Sequence, residues 1–237
     1  MQFNLYISLL TLSFVISVAV TVITWSRRKT VRGGSYFFLM MVAISLWSLA
    51  GAFEQSVTKI ELKIFWSVVC YVSIPLLPVL FYIFVLRFIQ TGKESNTHKE
   101  RFFFLFPAVI FIIAATNHWH HLLWPEITLV QSAGGVTAKY GHGTLFFIVV
   151  VTTYLIVALN VYHLWRANRL LNSIFRKQVR LLLLAQLLPI AVNSLYVFFG
   201  EVIDYVDPTP IAFTLTGLLI AYSIFKYSFL DLLPFAR

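Results

Sequence analysis

The chain has 237 residues, of which 59% are hydrophobic, 17% aromatic and only 11% charged, with a formal net charge of +9. A soluble domain has about a quarter of its residues charged, so this composition excludes one and defines a polytopic membrane protein. The basic excess lies in short segments between apolar runs, where membrane topology accounts for it, and no nucleic-acid partner is implied.

Seven apolar segments near 3–25, 35–56, 62–88, 102–117, 144–165, 181–200 and 210–226 are each long enough to cross, or nearly cross, a hydrocarbon core. That estimate uses a helical rise of about 1.5 Å per residue and a core of roughly 30 Å. The first segment has neither a basic start nor a small-residue cleavage site and reads as a retained span. Continuous apolar runs of this length exclude membrane strands, which alternate over roughly ten residues. The expected fold is therefore an all-α, seven-transmembrane helix bundle. Ser13, Ser17 and Thr21 in the first span, and Gly217 and Ala221 in the seventh, form small-residue stripes suited to close helix packing. Pro75 and Pro78 in the third span and Pro189 in the sixth remove backbone donors and predict kinks. Cys70 is the single cysteine, so no intrachain disulfide is available.

Two connecting segments stand out. His118 to Gly143 is the longest loop and is rich in His, Trp and Gly. Arg166 to Arg180 reads as a basic extension of the fifth and sixth helices, suited to anionic lipid headgroups. Of the 18 Lys and Arg residues, 15 fall on one side of the predicted spans, and only Lys59, Lys63 and Lys139 on the other. Cytoplasmic loops collect such residues, so the amino terminus is expected outside and the carboxyl terminus in the cytoplasm of a cell-membrane protein. Residues 227–237 then form a cytoplasmic linker, with Leu230, Leu233 and Ala236 spaced along one side. So short a stripe needs a partner, most simply the same segment of a second copy, which predicts a homodimer.

Polar residues at membrane depth must face a partner, water or a ligand. Glu54 lies near the outer end of the second span, Asn160 in the fifth, and Gln186 and Asn193 in the sixth. With Trp47, Trp66, Tyr71 and Tyr196 they have the composition of an aromatic-walled small-molecule site, and equally that of interhelical hydrogen bonding. The predicted cavity gathers Glu54, Asn193 and Asp207, with the His120-His121 loop as its lid. His118, His120, His121 and Glu126 are the candidates for a metal, but they lack the spacing of a zinc finger or a zinc hydrolase, and no metal is expected to be needed for folding. No lysine lies in the middle of a predicted span, so no retinal Schiff base has a place to form, and no other cofactor is implied. Phosphate-binding, nucleophile-elbow and kinase motifs are absent from the sequence.

The residues together resemble the amino-terminal seven-transmembrane sensor domain of prokaryotic histidine kinases, also found ahead of diguanylate cyclases. The resemblance rests on Trp47 and Glu54, then Trp66, Tyr71, Pro75 and Pro78, then Thr91-Gly92. It continues through Asn117, His120-His121-Leu122, Trp124, Tyr140-Gly141, Arg176 with Gln178, and Pro189, Asn193, Tyr196 and Gly200. Asp207, Thr209-Pro210 and the terminal Leu230-Asp231-Leu232, Pro234 and Ala236-Arg237 complete it. His142 stands where the family pattern carries Pro. The resemblance implies a non-enzymatic receptor module for an unknown small molecule, with Asn117, His120 and His121 among the ligand contacts. Its signal would leave through Asp231, Pro234 and Arg237 to a cytoplasmic kinase or cyclase, joined in cis or in trans. The competing reading is a metal-dependent membrane hydrolase or small transporter using His120, His121, Glu126 and Asp207.

Overall fold

The computed structural model describes residues 4–89, 101–132, 134–170 and 173–231. In chain order it contains α1 (Leu5–Arg27), α2 (Gly34–Ser56), α3 (Ile60–Ser73), α4 (Leu76–Ile89), α5 (Leu105–Ala115), α6 (Asn117–His120), β1 (Ile127–Ser132) and β2 (Gly135–Tyr140). Then come α7 (Thr144–Leu170), α8 (Ser173–Phe199), a 3-10 turn (Gly200–Ile203) and α9 (Thr209–Asp231). Five helical stretches are long and apolar enough to cross a membrane: Leu5–Arg27, Gly34–Ser56, Ile60–Ile89, Thr144–Leu170 and Phe175–Ile203. Arg101–Ala115 and Thr209–Ile224 are shorter apolar helices. The protein is thus a multi-pass helical membrane protein.

The helices depart from the sequence expectation at several places. The predicted third span is divided into α3 and α4 at Ile74 and Pro75. Pro75 has no N–H to donate and its ring crowds the preceding turn, so the break falls at this residue. Pro78 lies inside α4, and α8 runs without interruption through Pro189. The predicted span 102–117 ends early, because α5 stops at Ala115 and Thr116 leaves helical geometry before the separate turn α6. The fifth and sixth helices run further than 144–165 and 181–200, taking the basic segment into α7 and α8. The long loop is ordered around an antiparallel hairpin in which Ile127 pairs with Tyr140 and Ser132 with Gly135, so the chain is not purely helical. Thr91-Gly92, Leu232, Pro234, Ala236 and Arg237 lie outside the described residues, and Asp231 closes α9.

Helix α2 is central, packing against α1, α3, α4 and α9. Helix α4 faces α2, α5 and α7, and every residue from Leu77 to Val85 is buried. The main core therefore sits between α2 and α4, with Leu164, Val179, Leu182, Ala185, Ile220 and Ile224 closing it from α7, α8 and α9. The small-residue stripes have separate jobs. Ser13 hydrogen-bonds Ser48 at 3.1 Å and also Thr214, joining α1, α2 and α9, while Ser17 and Thr21 donate to carbonyls of their own helix. At Gly217 a Cβ would stand 2.5 Å from the Met41 sulfur, so glycine lets α9 lie close against α2.

Several of the described connecting segments meet at one end of the bundle. Asn4 caps α1 by accepting from the Ile7 N–H at 2.9 Å, and its Nδ2 donates to the Gly134 carbonyl at 2.6 Å, fastening the hairpin turn to the start of α1. Lys139 of β2 stands over the Tyr205 ring at 4.8 Å and 4.0 Å from Glu201, so the hairpin also meets the segment between α8 and α9. This hairpin end therefore holds the start of α1, the junction of α2 with α3, residues 117–143 and residues 200–208.

Candidate functional site

Two adjoining cavities lie beneath the hairpin end, at the level of the α3–α4 break. The first, of about 90 Å³, is bounded by Glu54 of α2, Ser67 and Cys70 of α3, Trp124, Tyr140, His142, Tyr205 and Asp207. The second, of about 100 Å³, runs on between α7, α8 and α9 past Tyr154, Gln186, Pro189 and Asn193. Trp47, Tyr71, Ile74, Phe146, Tyr196 and Asp207 line both. Ile74 at the break and Pro78 one turn on place the gap in α3–α4 against these spaces, which gives the kink a structural consequence.

Polar groups at the two spaces fall into separate networks. In the first, Glu54 accepts from Gln55 Nε2 at 2.6 Å and from the Tyr140 hydroxyl at 3.3 Å, and Tyr140 also meets the Ser67 hydroxyl. Lys63, wholly buried, donates to the Glu54 carbonyl at 2.8 Å and stands 3.8 Å from its carboxylate. The buried carboxylate is thus paired, accepting from two neutral donors with the Lys63 cation close by. Trp124 packs edge-on against Tyr71 at 5.1 Å and at a tilt against Tyr140 at 5.2 Å, closing the hairpin side with rings.

In the second network the Tyr154 hydroxyl donates to Asn193 Oδ1 at 3.2 Å, and Asn193 Nδ2 reaches the Thr209 hydroxyl at 3.5 Å. Asp207 Oδ1 accepts from the Thr209 N–H at 3.0 Å and from its hydroxyl, capping the first turn of α9, while the Tyr6 hydroxyl donates to the Asp207 carbonyl. No cation pairs with the Asp207 carboxylate among the described residues. Burial raises its pKa from the ordinary 3.8 to about 6, with the Thr209 hydrogen bonds opposing that rise. His142 stacks flat on Phe146 with ring centroids 3.8 Å apart, and burial lowers its pKa, so it stays neutral at pH 7.

The geometry sorts the sequence-predicted residues into three groups. Trp47, Glu54, Tyr71, Asn193, Tyr196 and Asp207 come together around the cavities. Trp66 stacks on Phe53 with centroids 4.6 Å apart and lines neither space. Asn117, His120 and His121 shape the loop itself. Asn117 Oδ1 accepts from the N–H groups of Leu123 and Trp124 at 3.0 and 3.1 Å, and its Nδ2 donates to the Trp124 carbonyl at 3.0 Å. His120 Nδ1 accepts from the Leu122 N–H at 3.0 Å, and His121, at φ 52°, turns the chain in left-handed geometry. His121 borders a shallow groove on the hairpin side instead of either cavity. The expected His lid is thus replaced by Trp124, Tyr140, His142 and Tyr205. Among the described residues no three His, Cys, Asp or Glu side chains stand close enough to hold a metal, and His118, His120, His121 and Glu126 do not converge.

Sequence reasoning missed the role of Lys63, which it counted only among the basic residues on the outer side, and the roles of Ser67, Tyr140 and Tyr154. A signal for Lys63 is present in hindsight, since Val57 to Lys59 is so short a link that the end of α2 and the start of α3 must face each other.

The fold and the site define a multi-pass helical membrane protein with a pair of aromatic-walled cavities toward one end of the bundle. The sequence from 9 to 234 matches the family described as the N-terminal 7TM region of histidine kinase, and the chain belongs to that family. This region is the non-catalytic sensor part of those kinases. Comparison with curated proteins finds no match.

Proposed function

We propose that this chain is the sensor module of a prokaryotic signalling receptor of the cell membrane, binding a small molecule in the paired cavities and signalling through α9. In this reading seven segments cross the membrane, the hairpin end faces outward and the carboxyl terminus is cytoplasmic. The 15-to-3 distribution of Lys and Arg supports that orientation. The observation that carries the reading is the position of Asp207 and Thr209, which both line the second cavity, Thr209 as the first residue of α9 and Asp207 as the acceptor that holds its N–H. A ligand that prefers one arrangement of these residues biases the tilt or rotation of α9, by no more than its difference in affinity for the two states. The output is a kinase or cyclase domain, in cis or in trans, working in a homodimer through the segment Asp231 to Arg237, where Pro234 sets either a rod or a hinge.

The test joins a histidine-kinase or cyclase domain after Arg237 with inserts of one to four residues. Output that varies with helical phase, at about 3.6 residues per turn, is expected. Activity indifferent to every insert refutes transmission by α9. Reporter fusions after residues 60, 130 and 205 should read outside, and a cytoplasmic signal at 130 overturns the orientation.

A further inference from the structure

The two cavities contain an imbalance of charge and of hydrogen-bonding capacity that the chain itself does not resolve. Two carboxylates line the first space, and Lys63 pairs with only one of them, Glu54. Asp207 borders both spaces without a cation among the described residues, and His142 nearby is neutral at pH 7. At the far end of the second space Gln186 is 1% exposed. Its Nε2 donates to the Val157 carbonyl at 3.3 Å, while its Oε1 has no partner. A buried acceptor left unpaired costs free energy until a donor reaches it. The side chains around Asp207 are aromatic, with Trp47, Tyr71, Phe146 and Tyr196 on both spaces, and ring faces attract a cation that has been stripped of water.

We infer that the ligand of this site is a small organic cation, its ammonium beside Asp207 among the aromatic rings and a hydroxyl or N–H donor directed at Gln186. The inference rests on the sensor reading and adds the chemical class of the ligand to it. One positive charge neutralises the unpaired carboxylate, and one donor satisfies the unpaired acceptor. An anion would meet Asp207 in spaces lined by no Lys or Arg among the described residues. Size agrees as well. Each space is smaller than the roughly 150 Å³ apolar cavity that admits benzene, and the two adjoining spaces together suit a ligand of on the order of half a dozen heavy atoms.

Choline is a suitable probe, because its carbon isostere 3,3-dimethylbutan-1-ol has the same shape and hydroxyl without the charge. Binding to the purified 237-residue chain in detergent is followed by tryptophan fluorescence, to which Trp47 and Trp124 beside the cavities contribute, and by the shift in melting temperature. Choline should bind at least tenfold more tightly than the isostere. Asp207→Asn keeps an Oδ1 acceptor for Thr209, so it should fold, lose choline affinity at least tenfold, and leave the isostere unchanged. Gln186→Leu should weaken choline several-fold and tetramethylammonium, which has no hydroxyl, hardly at all. Equal affinity for choline and the isostere overturns the cationic class while leaving the cavity as a binding site. Absence of any choline response at about 10 mM, ten times the dissociation constant of a millimolar binder, overturns it too. Neither result touches the phase-insertion test, so failure of this inference is distinguishable from failure of the sensor reading.

Discussion

Replacing Lys63 by Met removes a cation that is fully enclosed and leaves the shape of its aliphatic stem nearly intact. Two contacts go with it, the 2.8 Å bond to the Glu54 carbonyl and the 3.8 Å approach to the Glu54 carboxylate. That carbonyl belongs to the last turn of α2, where intrahelical donors run out, so the loss leaves an orphan acceptor as well as a buried anion with only the neutral Gln55 and Tyr140 donors. Breaking a buried pair by removing one partner costs about 3–5 kcal/mol. At roughly 2–4 °C per kcal/mol for a chain of this size, the melting temperature should fall by about 6–20 °C. Pairing Lys63→Met with Glu54→Gln removes both charges, and the double variant should recover at least about 1 kcal/mol relative to the sum of the single ones. Thermal unfolding in detergent, read by tryptophan fluorescence, measures all three variants. A Lys63→Met protein melting within about 2 °C of wild type, or a double variant that is strictly additive, would refute the paired-charge account.

Three further outcomes are expected. Gly143→Ala should destabilise much more than Gly217→Ala, because the new Cβ would meet the Leu122 carbonyl oxygen at 2.1 Å in one case and the flexible end of Met41 at 2.5 Å in the other; equal melting temperatures would contradict this. Asn117→Ala, which abandons three hydrogen bonds within the loop, should cost about 2–4 kcal/mol, and Asn117→Asp, which keeps the two accepted by Oδ1, should cost less. For Asp207 the folded pKa of about 6 lies above the ordinary 3.8, so between these values the folded chain holds a proton that the unfolded chain has released. Its contribution to stability is present at low pH and is lost as pH rises through about 6; Asp207→Asn should therefore flatten the melting-temperature profile between pH 4 and 7, and an unchanged profile would remove this group from the account.

Length, hydropathy and charge are sums over consecutive residues, which is why the sequence alone determined a multi-pass helical membrane chain and the family to which it belongs. The local effect of Pro75 was legible for the same reason, since a missing N–H acts on its own turn. The family pattern also named Trp47, Glu54, Tyr71, Asn193, Tyr196 and Asp207, but it could not separate them from Asn117 and His120, whose polar atoms are taken up by nearby backbone groups. That distinction depends on where each side chain finds its partner. The hairpin was hidden because its strands, Ile127–Ser132 and Gly135–Tyr140, lack long apolar runs and are identified by pairing across a turn. The cavity pair, the burial of Lys63 against Glu54 and the lack of a cation beside Asp207 among the described residues arise from segments distant in sequence. Only the tertiary structure decided them, because a buried polar group is paired or left unpaired according to what packs around it, and its own sequence neighbours do not specify that.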